Sequence, residues 1–246
     1  MSPRVVAAGS ETGPGAALPP FDSDQARLQD NHNATRTYDS GMDTEPTRHS
    51  RFDLSRILVI DLEATCWQGA RPPGEGPEVI EIGNAVLHVA DLHVEPGPEL
   101  LVRPERSTVS EFCTELTGIT QEIVDERGVT FAEALGVLRE SHGDLTRMVW
   151  ASYGEYDRRK LTEECRHHRI PFPLHDTHIN VKRLVALTAG WTHESGMAGA
   201  MRRVGLEPTP GSRHHRGSDD AVNIGRLLAL VLGGGGGRLF GRPREQ

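Results

Sequence analysis

The run Ile57-Leu58-Val59-Ile60, followed at once by Asp61-Leu62-Glu63, constrains this 246-residue chain more than any other stretch. Four apolar residues in succession fit a strand covered on both faces, as at the centre of a sheet with helices above and below it. Side chains alternate along a strand, so Asp61 and Glu63 fall on one face at its polar end. Two carboxylates held close on a low-dielectric surface repel each other unless a cation lies between them, and a hard metal ion is the simplest way to satisfy the pair. Taken alone, a D-x-E pair also fits a turn or cap acid.

The rest of the chain organises around that strand. Residues 79–89 alternate, with Ile80, Ile82, Val86 and Val89 interleaved with Glu81 and His88, and 100–103 follow a Pro-Gly turn, which together predict an antiparallel meander. The pattern then changes period. Thr130-Phe131-Ala132-Glu133 is a capping-box signature, and Phe131, Ala134, Leu135 and Leu138 continue it at helical spacing. A second buried strand is predicted over 148–152, with helices over 156–168, 179–189, 195–204 and 218–232. Strands first, then strand–helix alternation, predicts an α/β fold with one mixed sheet and helices on its faces. No internal repeat is present.

The flanks differ in composition. Residues 1–52 are rich in Pro, Gly, Ser, Thr, Asp and Asn without an apolar period, which predicts a disordered arm. Acids outnumber arginines there, which argues against a basic arm that binds nucleic acid. At the other end, 233–246 reads as a flexible Gly-rich tail ending in a small basic segment. Its glycine run lacks the strand before it and the Lys-Ser/Thr after it that a phosphate loop needs. One folded domain over 53–232 remains.

Composition excludes several classes. With 27 Lys and Arg against 35 Asp and Glu, the net charge of −8 argues against coating nucleic acid by bulk charge. No apolar stretch is long enough to cross a bilayer. Pro3, Pro14, Pro19, Pro20 and Glu11 interrupt the stretch where a secretory signal would need apolar continuity. Cys66, Cys113 and Cys165 form no C-x-x-C pair and read as reduced thiols, so the expectation is a cytoplasmic protein with no membrane partner.

Two further elements join the acid pair. Asp157 follows the second buried strand through Tyr153-Gly154-Glu155-Tyr156 and opens a helix, where a favourable N-terminal charge would also explain it. His215-Arg216-Gly217-Ser218-Asp219-Asp220 precedes the terminal helix. His214 with Asp219 has the same separation as His215 with Asp220, so periodicity must choose between them. With Asp220 inward, Asn223, Ile224, Leu227 and Leu228 share its face; with Asp219 inward, Arg226 would be buried. The pattern selects His215 and Asp220 and leaves Asp219 as a cap or solvated acid.

Asp61 and Glu63, then Asp157, then His215 with Asp220, resemble the DEDDh family of 3′-5′ exonucleases with its RNase H-like fold. The wording Asp61-Leu62-Glu63-Ala64-Thr65-Cys66-Trp67, Glu78-Val79-Ile80-Glu81-Ile82-Gly83 and Phe112-Cys113-Thr114-Glu115-Leu116-Thr117-Gly118-Ile119 is similar to one branch. That branch holds exoribonucleases that trim histone mRNA and small RNAs, and bacterial relatives linked to sporulation control. Tyr153 departs from the tryptophan usual in the branch. The resemblance implies a mixed five-stranded sheet flanked by helices.

It also implies two divalent cations, Mg²⁺ or Mn²⁺, which suit an all-oxygen ligand set as zinc does not. Asp61 would bridge both, Glu63 and Asp220 would complete the first, and Asp157 would hold the second, directly or through water. His215 would be the general base, neutral beside the cations, which predicts activity that rises into mildly alkaline pH. Thr65 is expected near the terminal sugar, and Leu116, Thr117 and Gly118 against the terminal base, with Leu116 as either a wedge or a core residue. Tyr153, Arg213 and Arg216 complete the expected substrate contacts, although arginines at such positions also fit a solvated face. The implied partner is the 3′ end of single-stranded nucleic acid, with RNA favoured.

Two rivals remain, a DNA exonuclease of the proofreading kind and a catalytically idle nucleic-acid-binding or regulatory protein on the same fold. A thiol hydrolase lacks any cysteine with the basic or helix-start flank that activates it. A zinc site at His167-His168 or at His175 and His178 lacks completing cysteines.

Overall fold

The computed structural model describes residues 53–212 and 214–234. The expected disordered arm over 1–52, Arg213, and the tail beyond Gly234 lie outside the described residues. Five strands, β1 (Asp53–Ala64), β2 (Val79–His88), β3 (Val94–Pro96), β4 (Met148–Ser152) and β5 (His178–Asn180), form one sheet in the order β3-β2-β1-β4-β5. The β1–β2 and β2–β3 pairs are antiparallel, whereas β1–β4 and β4–β5 are parallel. This is the mixed α/β sheet that the sequence pattern predicts, with the five strands that the family resemblance implies.

Among the described residues seven α-helices accompany it: α1 (Glu111–Thr117), α2 (Gln121–Arg127), α3 (Phe131–His142), α4 (Tyr156–His168), α5 (Val181–Thr188), α6 (Met197–Val204) and α7 (Gly217–Leu232). The strand β1 is apolar without a break because both its faces are covered. Leu58, Ile60 and Leu62 join Trp150 and pack with Phe131, Leu135 and Leu138 of α3 and Leu161 of α4. Ile57 and Val59 join Val149 and Ala151 on the other face and pack with Val185 of α5, Met201 of α6, and Ile224 and Leu228 of α7. By the same alternation, Asp61 and Glu63 belong to the α7 face.

The terminal helix docks unusually close to the sheet. A Cβ on Gly83 of β2 would lie 1.8 Å from the carbonyl carbon of Gly217, so only glycine allows backbone-to-backbone contact there. That contact fixes the height of the first turn of α7 over the ends of β1 and β2.

Several local expectations need correction. Residues 100–103 do not form the third strand, a place taken by Val94–Pro96. Leu100, Leu101 and Val102 continue the same sheet edge by isolated pairing: the Ile82 amide donates to Leu100 and the Val102 amide to Ile80. Pro96-Gly97-Pro98 separates the two pieces, since proline brings no N–H to a ladder, and the Asn84 side chain spans the gap by donating to the carbonyl of Pro98. The helix expected over 179–189 starts two residues later. His178–Asn180 is strand β5, and the Asn180 side chain caps α5 by accepting from the Arg183 amide. Likewise α6 begins at Met197 and not at 195. The short helices α1 and α2 were not predicted, and both open with side-chain caps, from Ser110 and Thr120. No described helix is long and apolar enough to cross a membrane.

Candidate active site

Four acids meet where the carboxyl end of β1 faces the N-termini of α4 and α7. Asp61 and Glu63 come from β1, and Glu63 is only 8% exposed. Asp157, on the first turn of α4, is buried and accepts from the Leu62 amide at 3.0 Å. That amide needs such a partner, because the β1–β4 pairing ends at Val59 and Ala151. Asp220, on the first turn of α7, is also buried. One carboxylate oxygen from each of Asp61, Glu63 and Asp220 lies within 4.8 Å of the others. Asp157 falls outside that group but lines the same cavity of about 420 Å³.

The electrostatics follow from this crowding. Burial, then the charges of Asp157, Glu63 and Asp220, push Asp61 well above the ordinary carboxylate range. Burial and then the charge of Glu81 push Glu63 up to about 8, with Arg216 only partly opposing. Asp157 and Asp220 are also raised, in both cases chiefly by burial. Among the described residues no lysine or arginine lines this cavity. A divalent cation would relieve the mutual repulsion, and the all-oxygen donor set suits a hard ion such as Mg²⁺ or Mn²⁺. The residues therefore fit the kind of metal their sequence pattern implies.

Both histidines of the 214–215 pair face the cavity. Their rings stack at 4.0 Å between centroids. His214 Nδ1 lies 3.0 Å from Asp220 Oδ2, while His215 reaches the same oxygen through its backbone amide at 2.9 Å. His215 sits at φ +64°, a left-handed conformation rare outside glycine, and so turns its ring over the site. Burial and the neighbouring His214 hold the His215 imidazole below its usual pKa. Asp220 is the inward acid of its pair, as the helical period requires.

The expected substrate contacts divide. Leu116 and Tyr153 line the cavity, and the Tyr153 hydroxyl donates to the carbonyl of Ser195 at 2.8 Å. Thr65 does not line it. That side chain is fully buried, with its hydroxyl 2.9 Å from that of Ser107 and accepting from the Glu78 amide. Thr117 is buried as well, and its hydroxyl donates to the Cys113 carbonyl within α1. Gly118 is the left-handed C-cap of that helix at φ 75° and does not line the cavity. Arg216 turns away from the cavity into ion pairs with Glu81 and Glu99, and Arg213 lies outside the described residues.

Sequence reasoning missed several cavity residues: Cys66, Tyr156, Gly196, Met197 and His214. It also passed over Glu81, which is fully buried directly opposite Glu63 on the neighbouring strand. The available signal for Glu81 was an acid inside an otherwise apolar strand.

A model of the exonuclease family matches residues 58–228, and the chain belongs to that family. Its similarity reaches 3'-5' exoribonuclease 1 of Homo sapiens, with 30% identity over 185 residues, 72% of this chain and 52% of the human protein. ERI1 exoribonuclease 2 of Mus musculus is 29% identical over 199 residues, 72% of this chain and 28% of the mouse protein. The chain thus spans about half or less of the length of these relatives. Among solved structures, the nuclease domain of 3'hExo, a DEDDh family member bound to rAMP, superposes with a TM-score of 0.62 at 29% identity. That match covers 74% of this chain and 93% of the domain. The DEDDh resemblance is borne out by these relatives, while its sporulation-control side finds no support among them.

Proposed function

We propose that this chain is a metal-dependent 3′-5′ exoribonuclease that removes nucleotides from the 3′ end of single-stranded RNA. The observation that carries the reading is the convergence of Asp61, Glu63, Asp157 and Asp220 with His215 on one cavity. A chain that binds without cutting has no need to crowd buried acids whose charges oppose one another, nor to set a histidine held neutral beside them. The relatives named as exoribonucleases, and the rAMP bound to 3'hExo, support RNA over DNA.

In this reading Asp61, Glu63, Asp157 and Asp220 would hold divalent ions, Mg²⁺ or Mn²⁺. Bound there, they supply stabilisation of the charge that develops on the attacking and leaving oxygens of the phosphodiester. His215 takes the proton of the attacking water, for which a lowered pKa keeps its imidazole free at neutral pH. Leu116 and Tyr153 form apolar walls for the terminal nucleotide. The negative chain would then meet a polyanion at a site whose charge the ions offset.

A time course with 3′-labelled and 5′-labelled single-stranded RNA, and matching DNA, in Mg²⁺, Mn²⁺ or EDTA tests the proposal. Prompt loss of the 3′ label, a descending 5′-labelled ladder, silence in EDTA and silence of Asp61→Ala are expected, with RNA cut faster than DNA. Faster cutting of DNA would move the reading to a deoxyribonuclease. Intact strands that remain bound to the wild-type protein would replace it with a binding module.

A further inference from the structure

Glu81 stands outside the five residues of the proposed mechanism, yet it is the acid best placed to govern one of them. It faces Glu63 across the β1–β2 pair and is 0% exposed. Its two carboxylate oxygens accept from the Gly217 amide at 2.9 Å and the Ser218 amide at 3.2 Å. These are the first two residues of α7, whose N-cap, Arg216, offers no side-chain cap of its own. A helix start leaves its first amides without partners, and an anion there answers both the missing bonds and the helix dipole. Here the anion comes from the sheet instead of from the helix.

The attachment continues outward. Arg216 Nε lies 3.5 Å from Glu81, and its Nη2 lies 2.7 Å from Glu99, which in turn pairs with Arg127. Because the amide of Asp220 donates to the Arg216 carbonyl at 2.8 Å, the residue clasped between Glu81 and Glu99 also begins the turn that carries Asp220. Gly83 and Gly217 bring the backbones into contact and set the distance, but a contact of two glycines has no side chain to fix rotation. Glu81 supplies that fixation.

The geometry points to Glu81 as a positioning residue: by holding the first turn of α7 against β2, it sets Asp220 beside Asp61 and Glu63, with Arg216 as the clasp and not a substrate contact. The inference rests on the metal-centre reading given above. It differs from a purely electrostatic role, in which Glu81 would matter as one more negative charge near the ions, and the two roles make different demands on substitution. Glu81→Asp keeps the charge but shortens the reach to the two amides. Glu81→Gln keeps the reach and one acceptor oxygen but removes the charge and sets an NH2 donor against the other amide.

The test is Mn²⁺ affinity of the full chain by titration calorimetry, with thermal unfolding alongside and kcat and KM on RNA as a second readout. Positioning predicts that Glu81→Asp, although it keeps the charge, loses about 10–100-fold in Mn²⁺ affinity, the usual range for outer partners of metal ligands, and that Glu81→Gln loses affinity as well; a purely electrostatic role predicts a loss in Glu81→Gln alone. It also predicts a lower kcat at fixed Mn²⁺, recovered by adding more of the ion, with KM for RNA unchanged. Wild-type affinity in a folded Glu81→Asp protein overturns the proposal. If neither variant folds, Glu99→Gln decides: it loosens the clasp from the solvent side, so weakened Mn²⁺ binding in a folded protein supports the inference and unaltered binding overturns it. Wild-type protein that took up no Mn²⁺ would remove the metal-centre reading, and this inference with it, whereas wild-type binding with unaffected variants would remove the inference alone.

Discussion

At Glu63 the cost of building this site is felt as a retained proton. Burial and the acids around it push its pKa up to about 8, so between the ordinary value near 4.5 and about 8 the folded protein holds a proton that the unfolded chain has released. Stability therefore falls as pH rises across that window in the absence of metal, because the native state binds more protons than the unfolded one. Metal-free protein should show a Tm that declines from pH 5 to pH 8. A divalent ion should restore it most at the alkaline end; at 100 times its Kd it stabilises by about 2.7 kcal/mol, or roughly 5–11 °C for a domain of this size. Differential scanning calorimetry at several pH values, with EDTA and with Mn²⁺, measures this, and a flat metal-free profile would count against the buried cluster. The two histidines separate at the same scale. His215→Ala should lower kcat about 10²–10⁴-fold with metal affinity kept, as loss of a general base does. His214→Ala removes the ring beside Asp220 and should act mainly on metal affinity. Calorimetry and steady-state kinetics on the same two variants distinguish them.

Elements meet the site through their ends, so the way each end is anchored matters more than its length. The first turn of α7 rests on Gly83 with no space for a side chain. Gly83→Ala should cost about 1–3 kcal/mol, in the range of overpacked cores, and should also weaken Mn²⁺ binding, because the displaced turn carries Asp220. Thr130→Ala, at the capping box of α3 away from the site, should cost about 1 kcal/mol and leave Mn²⁺ affinity unchanged. Paired thermal unfolding and titration of the two variants checks the contrast. Equal metal affinity in both would mean that α7 tolerates displacement. At α4, by contrast, the anchor is Asp157 itself, which holds its helix to β1 through the Leu62 amide.

For the whole molecule, the apolar cores on the two faces of the sheet are complete without an ion. No buried side-chain nitrogen or oxygen among the described residues lacks a hydrogen-bond partner. Removing the metal should therefore abolish cleavage while leaving the protein folded, unlike small domains in which metal binding and folding are one event. Far- and near-UV circular dichroism in EDTA should match the metal-loaded spectra at pH 6 to 7, alongside complete loss of 3′ trimming. Loss of the near-UV signal would show that the cluster supports the fold as well as the chemistry.

One unbroken apolar strand and the strand–helix order were enough to determine the sheet class. The order of Asp61 and Glu63, Asp157, then His215 and Asp220 singled out the converging acids through its resemblance to a known family, while the face that each acid takes was legible in its own segment. Those signals are local: alternation along a strand and the period of a helix fix which face a side chain takes. Even the choice of Asp220 over Asp219 came from the helical period of its own helix. The breaks in regularity were less legible, and the strand at Val94–Pro96 and the three-residue β5 are too short to carry a period of their own. Only the tertiary structure buried Thr65 and Thr117, turned Arg216 toward Glu81 and Glu99, and set both histidines over one cavity. Thr65 meets Ser107, and Arg216 meets Glu81 and Glu99, across long stretches of sequence. Glu81 meets the start of α7 across 136 residues, a pairing that depends on how closely Gly83 lets a helix approach a sheet and not on any pattern in either segment.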